Sequence, residues 1–282
     1  MTVNVARLAH SRVPAARGFL EARVETSLFL LASLDRYGPR VTEIPTSGDY
    51  YEVTIASQIA AVFAFTRKGH LLVQTGGRRD LVPAIVARCQ ADGLAVTGVV
   101  AEWTAAEAIH AALSATGALA PTYVSKNLVC HRQMHHDDYR QALDHVRRLR
   151  AGDFDEWFRL YAAFLSDQGA ETLPSRADLR GPFERRSAAG WWWGAFDGPR
   201  LAGIVAVDEV YRTTCQIGGL YVSPEARRRG LARALMAGLQ RDCLEDAPGC
   251  RMVLFVRTAN RLAQTFYDGL GFQRAGHFAL IW

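Results

Sequence analysis

The stretch from Gln216 to Leu235, QIGGLYVSPEARRRGLARAL, constrains this chain more than any other. It reads as a short apolar strand, a Ser-Pro turn, an Arg/Gly-rich loop and a helix. Leu231, Ala234, Leu235, Gly238, Leu239 and Cys243 recur at helical spacing, so one face of that helix packs on a sheet. The helix begins near Arg229 or Gly230. First turns usually carry acids, which complement the partial positive charge of free amides. Here Arg227, Arg228 and Arg229 stand in that place. Cations beside unpaired N–H groups make sense around an anion, and Gly230 and Ala232 leave no bulk where it must approach the backbone. A surface loop of solvated arginines is the plainer alternative. The glycine patterns of a nucleotide P-loop and of the dinucleotide fingerprint are both absent.

The 282 residues suffice for one large domain or two ordinary ones, and 49% hydrophobic with 22% charged residues can bury a real core. No apolar run approaches the roughly 20 residues that span a bilayer, so no membrane partner is expected. The segment from Met1 to Gly18 lacks the apolar core of a signal peptide. The five cysteines are scattered and never in Cys-x-x-Cys spacing, which points away from structural zinc and disulfides and toward the reducing cytoplasm. A net charge of +5 brings nucleic acid to mind, but the basic residues are interleaved with acids, and nearly all are Arg, Lys68 and Lys126 excepted. Nucleic acid is therefore not the expected partner; an anionic small molecule stays open.

Residues 19 to 36 predict a helix, with Leu20, Val24, Leu28, Leu31 and Leu34 on one stripe. Strands follow at Tyr50–Ile55, Ile59–Phe65 and His70–Gln74, then a helix near Asp80–Cys89, a strand at Ala95–Val100 and a helix from Thr104. The second half repeats the order: strands Trp191–Phe196, Leu201–Val207 and Gln216–Val222, a helix from about Arg229 to Glu245, a strand Met252–Val256, and a helix from Asn260. This repetition argues for internal duplication. The join falls between Pro121 and Gln141, with domains at 1–135 and 140–282. His131, His135, His136 and Asp137 could be metal ligands, but without helical spacing and a second cluster a solvated linker is the reading, and no metal is expected. Val146–Arg150 reads as a strand, Asp153 as the cap of a helix with Phe154, Trp157, Leu160, Tyr161 and Phe164 on one face, and Arg176–Arg186 as a further helix that could lie over a substrate.

About 30 residues after the arginine loop, the segment Asn260 to Phe272 carries a second pattern. Asn260 is a natural N-cap and Gly271 a natural C-cap. Leu262, Phe266 and Leu270 supply a core stripe; Asn260, Ala263 or Gln264, and Tyr267 share a neighbouring face. Arg227-x-x-Gly230-x-Ala232 after a strand ending Leu220-Tyr221-Val222, followed by Asn260-x-x-Ala263, Tyr267 and Gly271-Phe272, resembles the GNAT superfamily of N-acetyltransferases. The motifs cover roughly residues 145 to 282. The first half joins only through its element order, with Gly76-Gly77-Arg78-Arg79 at the equivalent strand–helix junction, and resembles a degenerate GNAT-like unit in a tandem protein.

The resemblance implies an α/β fold of two GNAT-like units, each a twisted, mainly antiparallel sheet flanked by helices. It implies acetyl-CoA as co-substrate and a primary amine as acceptor, with direct attack in a ternary complex. Main-chain amides across Arg228 to Arg233, including Gly230, Leu231 and Ala232, would hold the pyrophosphate, with the Arg227, Arg228 and Arg229 side chains adding charge. Strand Leu220–Val222 would pair with the amides of the pantetheine arm, Gly218-Gly219 marking a bulge that opens it. Asn260 would bind the arm, and Tyr267 would protonate the leaving thiolate. For the general base the alternatives are Glu209, the first choice, Asp208, a water chain, or the carboxylate of Trp282. A non-catalytic acyl-CoA-binding module and a transferase of longer acyl groups are the competing functions. Trp191, Trp192 and Trp193 read as core, with Trp192 on the opposite face. An exposed sheet edge in either half could mediate a homodimer.

Overall fold

The computed structural model describes residues 2–135, 145–170 and 172–282. In chain order the first half holds β1 (Val3–Arg7), α1 (Val13–Glu21), α2 (Val24–Tyr37), β2 (Gly48–Ile55), β3 (Gln58–Thr66) and β4 (His70–Gln74). It continues with α3 (Val82–Ala91), β5 (Gly98–Glu102), α4 (Trp103–Ala115) and β6 (Val124–Gln133). The second half begins with β7 (Val146–Arg148), α5 (Phe154–Asp167), α6 (Arg176–Ala188), β8 (Trp192–Asp197), β9 (Arg200–Tyr211) and β10 (Thr214–Val222). It ends with α7 (Leu231–Asp246), β11 (Arg251–Arg257), α8 (Arg261–Asp268) and β12 (Gln273–Ile281). The fold is mixed α/β with mainly antiparallel sheet, in two GNAT-like halves.

The chain separates into two compact units, residues 1–132 with 253–282, and residues 133–252. This cut differs from the sequence division at 135 and 140 because β12 does not stay with its own half. It lies antiparallel between β5 and β6, pairing Ala279 with Ala101 on one side and with Lys126 on the other. The sheet of the first unit runs β1-β2-β3-β4-β5-β12-β6-β11, with β4 and β5 parallel. Beneath it Phe63, Leu71, Val99, Ile85, Ile109 and Ile281 form one core.

The second unit has the order β10-β9-β8-β7, all antiparallel. One face is covered by α5 and α6, whose Phe154, Trp157, Leu160 and Phe183 pack with Trp192, Ile204 and Tyr221. The apolar face expected of α7 is buried throughout. Trp192 and Trp193 alternate as a strand requires: Trp192 meets Trp157 and Tyr161, whereas Trp193 donates its indole N–H to Asp242 of α7 at 2.8 Å. Gly238 permits α7 to approach β7, since a Cβ there would lie 2.6 Å from Val146 Cγ1. Gly238→Leu is accordingly expected to destabilise the protein by about 1–3 kcal/mol through overpacking; an unchanged denaturant midpoint would contradict this packing.

Two expectations need correction. The helix expected over 19–36 is two helices, broken where Arg23 takes φ −139° and ψ 41°. The polar join between 121 and 141 contains the ten-residue strand β6, of which Leu128, Val129 and Cys130 are buried. His136 and Asp137 lie outside the described residues.

All five cysteines are buried free thiols. Among the described residues no three His, Cys, Asp or Glu side chains are grouped to hold a metal ion, and no helix is long and apolar enough to cross a membrane.

Candidate functional site

The strand β10 enters the site and its irregularity comes from its glycines. Gly218 pairs with Ala206 and Tyr221 with Ile204, so β10 carries one more residue than β9 between these pairs. Gly219 absorbs the excess at φ +61°. Beyond it Leu220 and Val222 are half-buried, while Tyr221 is buried with Phe164 edge-on at 6.0 Å. Burial raises the Tyr221 phenol pKa, and the charge of Asp167 adds to the shift.

The chain then turns through Pro224-Glu225-Ala226 and reaches the arginines. Two of the three are already engaged. Arg227 donates to the Val222 carbonyl at 3.0 Å and to Asp167 at 3.2 Å, and lies over the Tyr221 ring. Arg229 binds Asp197 at 2.7 Å and thereby lowers that carboxyl's pKa. Arg228 and Arg233 are exposed and, among the described residues, pair with no carboxylate.

Arg228 at φ +60° and Gly230 at φ +82° flank Arg229, so two left-handed residues wind the backbone just ahead of α7. A non-glycine residue in that conformation is uncommon and strained, and such strain gathers at binding sites. The helix begins at Leu231, slightly later than the sequence suggested, with Gly230 as an N-cap that supplies no side-chain hydrogen bond. Its first backbone bond runs from Ala234 N–H to Gly230 O at 3.0 Å. The N–H groups of Leu231, Ala232 and Arg233 consequently have no intrahelical acceptor. No atom lies within 4 Å of where a Cβ of Gly230 would stand. Uncapped amides, uncommitted cations and open space fit a bound diphosphate.

The equivalent junction in the first unit is built the opposite way. Between β4 and α3, Gly76 and Gly77 are also left-handed, at φ +61° and +80°. Their amides are already taken: Gly76 N–H donates to Gln74 Oε1 at 2.7 Å, and Gly77 N–H to Glu102 Oε2 at 3.0 Å. Pro83 in the first turn of α3 removes a further donor. An internal carboxylate thus stands where the second unit leaves room for an anion.

The second motif lies on α8, in the first compact unit. Asn260 Oδ1 caps the helix by accepting from Ala263 N–H at 3.0 Å. Asn260 itself is exposed, and the buried residues of α8 are Gln264 and Tyr267; Gln264 donates to the carbonyls of Arg257 and Thr258. Tyr267 sits edge-on between Phe266 and Phe272, with centroids at 5.3 and 5.6 Å. Burial pushes its phenol well above the ordinary value, and Cys130 pushes in the same direction. The expected core stripe is corrected here: Leu262 is 83% exposed. The helix is capped at Gly269, and Gly271 takes the left-handed conformation two residues later.

Of the base candidates, Glu209 is half-buried and accepts from the adjacent Val210 N–H at 3.0 Å. Trp282 is tied through its carbonyl to Tyr123 N–H at 2.7 Å. Asp208 is bound to Arg186 of α6. No motif drew attention to Arg186.

Residues 154–272 match the model described as the acetyltransferase (GNAT) family. The whole chain is similar in fold to several solved structures, one of them a tandem GNAT protein. A tandem GNAT protein from the clavulanic acid biosynthesis pathway is 14% identical, with a TM-score of 0.53, covering 99% of this chain and 98% of that one. A GNAT-family acetyltransferase from Colwellia psychrerythraea is 12% identical with a TM-score of 0.57, covering 100% and 99%. A Drosophila protein is 15% identical with a TM-score of 0.65, covering 99% and 98%. No curated protein matches the sequence.

Proposed function

We propose that the protein transfers an acetyl group from acetyl-CoA to a primary amine by direct attack in a ternary complex. The observation that carries this reading is the uncapped start of α7, with the N–H groups of Leu231, Ala232 and Arg233 beside Arg228 and Gly230, inside a GNAT-family segment. Those amides bind the pyrophosphate, and the Arg228 and Arg233 guanidiniums add charge-assisted contacts. The edge of Leu220–Val222 turned away from β9 takes the amides of the pantetheine arm. Asn260 and Tyr267 have the roles the family resemblance gives them, holding the arm and protonating the thiolate. The proton acceptor on the amine side is a carboxylate at the end of β9, Glu209 or Asp208. The second unit binds the donor; the first, with its amides occupied by Glu102 and Gln74, does not.

Calorimetric titration with acetyl-CoA, CoA and longer acyl-CoAs tests the donor. Release of CoA in the presence of spermidine, L-lysine, kanamycin and a peptide with a free N-terminus tests the acceptor class. One site per chain and turnover of at least one amine are expected. Absence of binding at millimolar acetyl-CoA would remove the reading, and preference for a longer acyl chain would replace acetyl as the group transferred.

A further inference from the structure

The edge strand of the second unit, β7, borders a cavity of about 440 Å³ that has no part in the site described above. That volume is in the range of pockets that take small organic ligands, roughly 300–1,000 Å³. Arg147, Arg148 and Arg150 reach its wall from β7 and the turn after it, Ser187 and Gly190 from the end of α6, and Arg241 and Asp242 from α7. Arg241 lies about 15 Å along α7 from Leu231 at helical rise, well away from the uncapped start of that helix.

Four guanidiniums thus meet at one cavity, and the chain neutralises them unequally. Arg147 grips Asp153 with two bonds of 2.8 Å and lies 4.2 Å from the centre of the Phe196 ring, so it is committed. Arg148 pairs with Asp246 through Nη2 and approaches Asp242 with Nε at 3.5 Å. Its Nη1 has no hydrogen-bond partner among the described residues and lies over Gly190, where a Cβ would stand 3.2 Å from it. Gly190 takes φ +70°, so glycine both ends α6 and lets the guanidinium cross the chain. Arg241 gives Nε and Nη2 to Asp242 Oδ1, both at 2.8 Å, which leaves its Nη1 uncommitted. Arg150 is exposed and, among the described residues, bonds to no carboxylate.

Asp242 is the one carboxylate among the described residues of the wall, and it is already enclosed by Arg148, Arg241 and the Trp193 indole N–H. The carbonyls of the last turn of α6 do not account for the gathered cations. Those of Arg185, Arg186 and Ser187 accept from the N–H groups of Ala189, Trp191 and Gly190. Ser187 itself is 9% exposed, and its hydroxyl is buried without a hydrogen-bond partner among the described residues. Native structures rarely leave such a group unanswered.

Uncommitted donors therefore converge from three places: Arg148 Nη1 from β7, the Arg150 guanidinium from the turn after it, and Arg241 Nη1 from α7. A carboxylate is planar, and a single guanidinium fork satisfies it. A phosphate monoester carries close to two charges and three acceptor oxygens in a tetrahedral array. Donors from three directions match the second geometry. We propose that this cavity is a further anion site, which binds the phosphate group of a small organic phosphate monoester independently of the acyl donor.

The test is calorimetric titration with glucose 6-phosphate, adenosine 5′-monophosphate, inorganic phosphate and citrate, at low ionic strength where exposed charges are least screened. Wild type is expected to bind at least one monoester at one site per chain, about tenfold or more tighter than citrate. Arg150→Ala removes an exposed side chain that holds nothing in the fold, and should weaken that binding about tenfold or more. Arg228→Ala, in the loop before α7, should leave it within about twofold, as expected for a separate site. No binding of any phosphate at millimolar concentration overturns the proposal. So does binding weakened by Arg228→Ala and not by Arg150→Ala, which places the anion at the start of α7. Equal losses from both variants, the mark of general charge attraction, overturn it as well. Citrate bound as tightly as the best monoester overturns the assignment to phosphate.

Discussion

Gly230→Val is expected to lower acetyl-CoA affinity at least about 100-fold while leaving the protein folded. Gly230 sits at φ +82°, where an L-residue is disfavoured by roughly 1–2 kcal/mol and a β-branched one by more. No neighbour lies within 4 Å of the added Cβ, so the Cβ itself meets open space and the strain remains local. Relief of that strain rotates the backbone that aims the Leu231 and Ala232 amides. Losing two charge-assisted hydrogen bonds, at about 1.5 kcal/mol or more each, corresponds to about two decades in affinity. Gly77→Val supplies the control. Gly77 has the same left-handed backbone and the same open space, but its amide already serves Glu102, so acetyl-CoA affinity should not change. Equal losses from both variants, measured by calorimetry, would mean that the donor is not held at the start of α7.

Tyr267→Phe is expected to reduce turnover by about 100-fold or more with acetyl-CoA affinity within about twofold, the pattern of a lost proton donor. A thiol has an ordinary pKa near 8.5 and a phenol near 10, so the phenol can donate to the departing thiolate only while it is itself protonated. Burial displaces the Tyr267 pKa upward, which favours the neutral form. The donor is present at all pH values below the raised pKa, and activity should show no loss attributable to this group between pH 7 and its ordinary value of about 10. A descending limb below pH 9 that disappears in the Phe variant would contradict that assignment, as would unchanged turnover.

The strand–loop–helix unit from β10 to α7 was readable because it carries redundant signals. Leu231, Ala234, Leu235 and Leu239 fix the helix face by period, Gly218-Gly219 mark an interrupted strand, and three arginines at a helix start contradict the usual charge preference. What the sequence did not show were relations that depend on partners. Leu262 has the spacing of a core residue, yet α8 buries its polar face, because Gln264 finds two backbone carbonyls. The strand β6 looked like a linker: its Cys130-His131-Arg132-Gln133 end is polar, and its burial comes from lying beside β12. Likewise the arginines looked equivalent, and only their distances to Asp167 and Asp197 separate the engaged from the uncommitted. A bulge on a glycine strand announces itself, but the compensating one at Asp208 has no compositional mark. Its register against Gln216 and Ile217 reveals it.

The placement of β12 between β5 and β6 bears on how the chain is made. During synthesis the first 135 residues emerge with a gap in their sheet, and the strand that fills it follows only at Gln273–Ile281. Until then β5 and β6 each present an unpaired row of backbone donors and acceptors, the kind of edge that recruits foreign strands. Pairing so distant in sequence also carries a high loop-closure cost and slows folding. A fragment ending at residue 135 should therefore aggregate, and adding the segment 253–282 in trans should rescue its solubility. A soluble, cooperatively melting fragment would show instead that the first unit closes its sheet unaided. In this chain the last strand of the second sequence half completes the sheet of the first.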